Sequence, residues 1–409
     1  MSGLLYGFFI EAMTAWRGMF DPIHAVFVRI AFSFLVAALV GETVHHYSQF
    51  PRIAGYALAG VVLGPLGLGW VDTADLPSMG PFVGLAVALL LFELGTHIHV
   101  RWLIQHPWVV VSSLLESFAT FVATYLVTRV LGIETETGLV IAVMIMGSSP
   151  VIAMQTITEN RARGRVSQRL LVLSGLNIAY SVLGFQLIMA WYQGAFHSQW
   201  LLGIGRFMML VMGSLGLGVV LALSFKGLRS RFDLSVEHSA PLVLGLLLFI
   251  ESLVLLFKWP VLLAPLIGGG LVKCWDQRPI LLPRYVATLG SLLAIMLFVM
   301  AGSRLTWHYL WLGAGSAALL LLVRVLAKLL CVGALGPITG LDLRQSLALG
   351  VSLIPLAEVP MVELNDLHRF YPQADGVADA VVLCLVMVMV VLGPLALQWG
   401  LRFVRECRE

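Results

Sequence analysis

Charge is scarce in this sequence. Only 11% of its 409 residues are Asp, Glu, Lys or Arg, while 59% are hydrophobic; a soluble domain carries roughly a quarter charged residues. That balance excludes a water-soluble globular protein, and the mean hydropathy of +0.95 agrees. Cysteine is scarce too. Cys274, Cys331, Cys384 and Cys407 are unevenly spaced, so neither a disulfide framework nor a zinc site is expected. A net charge of +3, dispersed along the chain, excludes nucleic acid as a partner. No nucleophile–base pairing or metal-ligand spacing is legible, so no enzyme, cofactor or metal centre is expected. His97, His99 and His106 cluster near one loop, a spacing that suits a pH sensor or a metal, although interfacial histidines are commoner.

What is present is apolar length. Thirteen segments run roughly over 25–46, 53–70, 81–100, 108–131, 138–158, 169–192, 201–225, 240–257, 260–273, 284–303, 308–335, 344–365 and 376–403. With 40 Gly and 17 Pro among packed apolar runs, helices fit better than the alternating strands of a barrel. The expectation is an all-α polytopic membrane protein of about 13 transmembrane helices. Residues 1–24, with the short apolar stretch Leu4–Trp16, read as an interfacial or half-span segment. Arg52, Arg101, Arg161, Arg163, Arg165, Arg169, Lys226, Arg229, Arg231, Lys273, Arg278, Arg284, Arg344, Arg402, Arg405 and Arg408 fall on one side of such a topology. Arg17, Arg129, Arg206, Lys258, Arg304 and Arg369 fall on the other, beside acids such as Asp72, Asp75, Glu134, Glu136, Asp366 and Asp375. The positive-inside rule then places the C-terminus in the cytoplasm and the N-terminus outside.

The chain also repeats itself. PRIAGYALAG at Pro51 returns as PVLLAPLIGGG at Pro260, an offset of 209; Phe92 of LLLFELG matches Phe298 of MLFVMAG at 206; Pro150 of GSSPVIA matches Pro355 of SLIPLAE at 205. Six segments per repeat plus one linker segment make the repeats inverted. Their bounds are 25–192 and 240–409, with the linker at 193–239. Inverted repeats with matching interrupted helices are the pattern of secondary transporters. A mid-span proline removes a backbone donor, so Pro150 and Pro355 predict either simple kinks or a pair of broken helices that cross. At such a crossing, free N–H groups and free carbonyls compensate buried charge.

Charges inside spans are costly and become functional candidates. Glu358, three residues after Pro355, is the first, read as a transport carboxylate or as an acid that satisfies a positive helix end. Arg324 and Lys328 are one turn apart and share a face; either can reach the interface or a carbonyl. Glu116 and Glu251 are further buried acids, either of which could partner Lys328, and Glu93 and Arg29 have less positional support. Lys328 needs compensation, with Glu358 expected as its partner and Glu116 second.

FPRIAGYALAGVVLGPLGLG with LLLFELG resembles the second and third spans of the cation:proton antiporter superfamily, in its sodium/hydrogen exchanger and potassium-efflux branch. GSSPVIAMQTITENRARGRVSQRLLVLSGLNIAYSVLGF resembles the fifth and sixth spans, and Lys328, Arg344 and PLAE at 355–358 resemble the eleventh and twelfth. The resemblance covers residues 25–404 and concerns the membrane domain only. It implies an antiporter-like fold in which a core of spans four to six and eleven to thirteen moves like an elevator. Spans one to three and eight to ten would form a homodimerisation domain, in a multi-pass cell membrane such as a bacterial inner membrane. It also implies a monovalent cation and a proton as partners. The site would draw on Asn177, Lys328, Glu358, Glu116, Ser149, Pro150 and Pro355, with Arg324, Glu251 and Ser148 beside them. The departures are sharp. The sixth-span aspartate that binds cation and proton in competition falls on Ile178, next to Asn177; the family's PRGE arginine is Leu356; and a third-span glutamate falls on His97. Three readings follow: a cation (Na+ or K+)/proton antiporter with a relocated carboxylate, an organic-anion transporter on the same scaffold, or a non-transporting subunit acting through a partner protein.

Overall fold

A computed structural model describes residues 22–48, 50–72, 76–98, 100–197, 200–232, 239–257, 259–260, 262–275, 284–370 and 376–407. The N-terminal stretch Leu4–Trp16 and His99 lie outside the described residues, as do Arg17, Asp75, Lys258, Arg278, Asp375 and Arg408 of the charge count. The described chain is helical, with no strand among the described residues. The helices are α1 (Pro22–Ser48), α2 (Arg52–Leu63), α3 (Leu76–His97), α4 (Val100–Gln105), α5 (Pro107–Val130), α6 (Thr135–Met146), α7 (Pro150–Glu159) and α8 (Arg165–His197). Then come α9 (Trp200–Phe232), α10 (Ser239–Phe257), α11 (Leu263–Trp275), α12 (Arg284–Ser303), α13 (Trp307–Leu335), α14 (Leu343–Ser352), α15 (Glu358–Phe370) and α16 (Gly376–Phe403). Every apolar segment of the sequence coincides with one of these helices or with a broken pair. Among the described residues, eight stretches are long and apolar enough to cross a bilayer, and 52–63, 241–257, 263–275 and 292–303 are shorter apolar helices.

Packing follows the small residues. A Cβ on Gly269 of α11 would come within 2.1 Å of the Phe92 carbonyl on α3, and one on Gly60 of α2 within 2.4 Å of the Val299 carbonyl on α12. In lipid, such close backbone approach replaces the hydrophobic drive that joins helices in water. The glycine-rich segments at 53–70 and 260–273 therefore serve as contact faces. Helices α1, α2, α3, α9, α11 and α12 pack mainly with one another, and α5, α6, α7, α8, α13, α14 and α16 pack mainly with one another.

Both mid-span prolines mark true breaks. Helix α6 ends at Met146, three non-helical residues follow, and Pro150 restarts the chain as the first residue of α7, where its missing N–H costs nothing. Ser149 caps α7 by accepting from the Ile152 amide at 3.2 Å. Pro355 lies in the unwound stretch between Ser352 and Glu358 that separates α14 from α15. The two unwound stretches meet: Ser149 N–H donates to the Pro355 carbonyl at 2.9 Å, and the Ser148 hydroxyl donates to the Leu353 carbonyl at 2.7 Å. The two prolines, 205 residues apart in sequence, thus come together at one crossing.

Candidate functional site

The crossing brings four helix ends to one point, and four ends mean unsatisfied backbone groups. The C-terminal ends of α6 and α14 present carbonyls, and Arg324 from α13 collects them. Its Nη1 donates to the Ile145 carbonyl. Its Nη2 lies 2.7 Å from the Gly147 carbonyl and 3.0 Å from that of Ile354, and its Nε lies 3.2 Å from Ile354. A planar guanidinium with five donors suits such a cluster. Arg324 is fully buried, so of its two expected roles the carbonyl ligand is the one adopted, deep inside rather than at an interface.

The opposite ends carry the opposite charge. Glu358 is the first residue of α15. Its carboxylate accepts from the Ser149 hydroxyl at 2.6 Å and the Val151 amide at 3.3 Å, both at the start of α7. Anions are stabilised where helices begin, and Glu358 serves two beginnings at once. The crossing is therefore compensated from within, by Arg324 on the negative ends and Glu358 on the positive ends.

One turn beyond Arg324, the expected pairing is corrected. Lys328 bonds Glu116 of α5, not Glu358, and its Nζ also lies 3.4 Å from the Met146 carbonyl. Both charges are buried. The reason is directional: Glu358 is held by the start of α7, while α13 packs along α5 and carries Lys328 to Glu116. Asn177 of α8 completes the set. Its Oδ1 accepts from Ser113 at 3.0 Å and Ser117 at 2.9 Å, and its Nδ2 donates to Glu116 Oε2 at 3.0 Å and Ser148 at 3.2 Å. All four hydrogen-bonding capacities of the amide are used. An aspartate at 177 would lose both donors and set a second negative charge against Glu116. The amide at 177 thus fits a site whose acid sits on α5.

Glu251 is also corrected as a partner for Lys328. It stands on α10 beside Gly84 of α3, its Oε2 buried with no hydrogen bond to any described residue. It borders a cavity of about 590 Å³ whose wall also includes Glu358, Arg304 and Asn365, with Phe298 and Met361 among its apolar residues. The cavity starts where α3 begins and where α10, α12 and α15 finish, and it reaches down to the crossing at Glu358. His97 and His106 turn Nδ1 to carbonyls four residues back, at 2.9 and 3.0 Å. Among the described residues no group of three His, Cys, Asp or Glu is placed to hold a metal.

Sequence reasoning passed over Glu363. It is buried on α15 and touches Ser181 of α8 at 3.0 Å. The only signal was an acid five residues after Glu358, in a stretch whose Asp366 and Arg369 read as a span end.

Comparison with known proteins places this architecture. In fold the chain is similar to the sodium proton antiporter MjNhaP1 from Methanocaldococcus jannaschii at pH 8, with a TM-score of 0.70 and 16% identity over 94% of this chain and 96% of that one. A second structure of the same antiporter, from electron microscopy, gives 0.69 and 16% over 95% and 100%. No curated protein matches the chain. A profile described as "Sodium/hydrogen exchanger, transmembrane" matches residues 3–402. Nearly the whole length is covered, and the chain belongs to the sodium/hydrogen exchanger family, within the cation:proton antiporters.

Proposed function

We propose that this protein exchanges a monovalent cation, Na+ or K+, for a proton, and that Glu358 is the carboxylate at which the two compete. The observation that carries this reading is the position of Glu358: fixed to the crossing on one side and bordering the cavity on the other. Oxygen ligands suit a hard cation. Here the Glu358 carboxylate and the Ser149 hydroxyl would supply them. A cation entering the cavity meets Glu251 first and Glu358 at its floor. Asn177, Lys328, Glu116, Ser148, Pro150, Pro355 and Arg324 hold the geometry around that floor. The organic-anion alternative drew on a net positive crossing; Glu358 and Glu116 offset Arg324 and Lys328, so that support is gone.

Access would alternate by an elevator movement of α5–α8 and α13–α16 against the remaining helices. In support, the cavity lies between α3, α10 and α12 on one side and α15 on the other. The repeats at 25–192 and 240–409, a homodimer formed through the non-moving helices, and a cytoplasmic C-terminus in a bacterial inner membrane complete the proposal. The test is purified protein in liposomes carrying a pH gradient. Dissipation on addition of Na+, K+ or Li+ supports antiport and names the ion. Silence to all three, with reconstitution verified, refutes it and leaves a non-transporting subunit.

A further inference from the structure

One hydroxyl in the core faces more acceptors than it has protons. Ser181 Oγ lies 2.9 Å from the Val143 carbonyl on α6, and 3.0 and 3.4 Å from the two carboxyl oxygens of Glu363 on α15. A serine hydroxyl donates once. If its proton goes to Val143, the contact with Glu363 needs a proton from the acid; if it goes to Glu363, the buried Val143 carbonyl faces bare oxygen lone pairs. The arrangement in which all three oxygens are satisfied has Glu363 as the neutral acid, donating to Ser181, which donates to Val143. Burial argues the same way, because a lone charged carboxylate away from water is costly.

Among the described residues, no cation is placed to hold a carboxylate there. Helix α15 packs against α6, α8, α12 and α16. From α6, residues 137–146 carry no titratable side chain; from α8, between Arg169 and Tyr192, the only one is Tyr180. On α15 itself the charge that acts on Glu363 is Asp366, of the same sign. On α16, Asp379 is held by His368 at 2.8 Å, and Cys384 donates to the Tyr309 carbonyl. At the end of α12, Arg304 borders the cavity and lies in the field of Asp379.

We propose that Glu363, Ser181 and the Val143 carbonyl form a second proton site, occupied in this conformation and emptied during the transport cycle. The geometry gives the consequence of emptying it. When Glu363 releases its proton, Ser181 turns its own proton to the carboxylate and lets go of Val143. Val143 is in the last turn of α6, immediately before the break at 147–149. A proton on α15 is thereby reported, through one hydroxyl, to the helix end that Arg324 and Lys328 hold. Glu358, Met361, Asn365 and Asp366 border the cavity, while Glu363 points into the core. The two acids thus serve opposite faces of one helix.

This site deepens the antiport reading and rests on it for its role in the cycle, although not for its proton. Infrared difference spectroscopy on the full protein across a pH titration reads the proton directly. The expected result is a protonated-carboxyl band that E363Q removes and S181A displaces, because the acid loses its hydrogen-bond acceptor. E363Q keeps the donor to Ser181, so its thermal stability should match wild type, and in liposomes its antiport pH profile should be displaced. Absence of a band attributable to Glu363 overturns the proton site. A band that is present while E363Q and wild type share one pH profile overturns its emptying during the cycle, leaving a structural acid. Wild-type silence to every cation is a failure of the antiport reading, and the infrared arm still decides the proton.

Discussion

On one flank of the crossing, Lys328, Glu116 and Asn177 form a closed network with the hydroxyls of Ser113, Ser117 and Ser148. On the other, Glu358, Glu251 and Arg304 border a cavity, and Glu251 Oε2 and Arg304 Nε make no hydrogen bond to any described residue. Both flanks carry buried charge, which is expensive in a bilayer. The difference is satisfaction. A closed network fixes the geometry and tolerates no missing member, whereas open polar atoms beside a cavity are available to a ligand. The first flank is where mutation should cost stability, and the second is where it should cost transport.

The largest effect should come from Arg324, which both flanks lean on. Arg324→Met strands the carbonyls of Ile145, Gly147 and Ile354, each at about 1–3 kcal/mol, and thermal denaturation in detergent should show the protein barely folded. Arg324→Lys keeps the charge without the fork and should recover only part. A stable Arg324→Met variant would mean the helix ends find other partners.

Next comes the ion pair. Lys328→Met or Glu116→Gln alone strands a buried charge and should cost about 3–5 kcal/mol. The double variant should cost clearly less than the sum, whereas Lys328→Met with Glu358→Gln should be additive within about 0.5 kcal/mol. The reverse pattern of coupling would return Glu358 to Lys328. A smaller loss, about 1–3 kcal/mol, is expected for Asn177→Asp, because the amide donors to Glu116 and Ser148 vanish. An Asn177→Asp protein as stable as wild type would show that the network is looser than its distances say.

These contrasts bear on what could be read from the sequence. The breaks were legible because proline is a local signal: at Pro150 and Pro355 the lost donor and the matching offset are both visible in one dimension. Arg324 was legible only as a side chain that reaches the interface or a carbonyl, and the structure resolves that choice in favour of the carbonyls. The partner of Lys328 was not. Which acid it meets depends on which way α13 turns against α5 and on Glu358 being claimed by the start of α7, and neither is a property of spacing. Glu363 escaped because its partner Ser181 is 182 residues away, on a helix whose single hydroxyls look like ordinary packing residues.

The smallest stability effect belongs to the cavity flank. A Cβ on Gly84 would come 1.7 Å from Glu251 Oε1, the far end of a flexible side chain, so Gly84→Ala should move that carboxylate at a cost within about 0.5 kcal/mol. Its expected signature is a raised apparent KM for the cation with the melting temperature unchanged. An unchanged KM would remove Glu251 from the entry path.

Antiport as proposed requires that cation and proton exclude one another at Glu358. It is tested most directly by comparing wild type with Glu358→Gln in liposomes under an imposed pH gradient, with both proteins first shown to be folded. Wild type should collapse the gradient on addition of Na+ or K+, and Glu358→Gln should leave it standing. A Glu358→Gln protein that collapses the gradient as fast as wild type would contradict it.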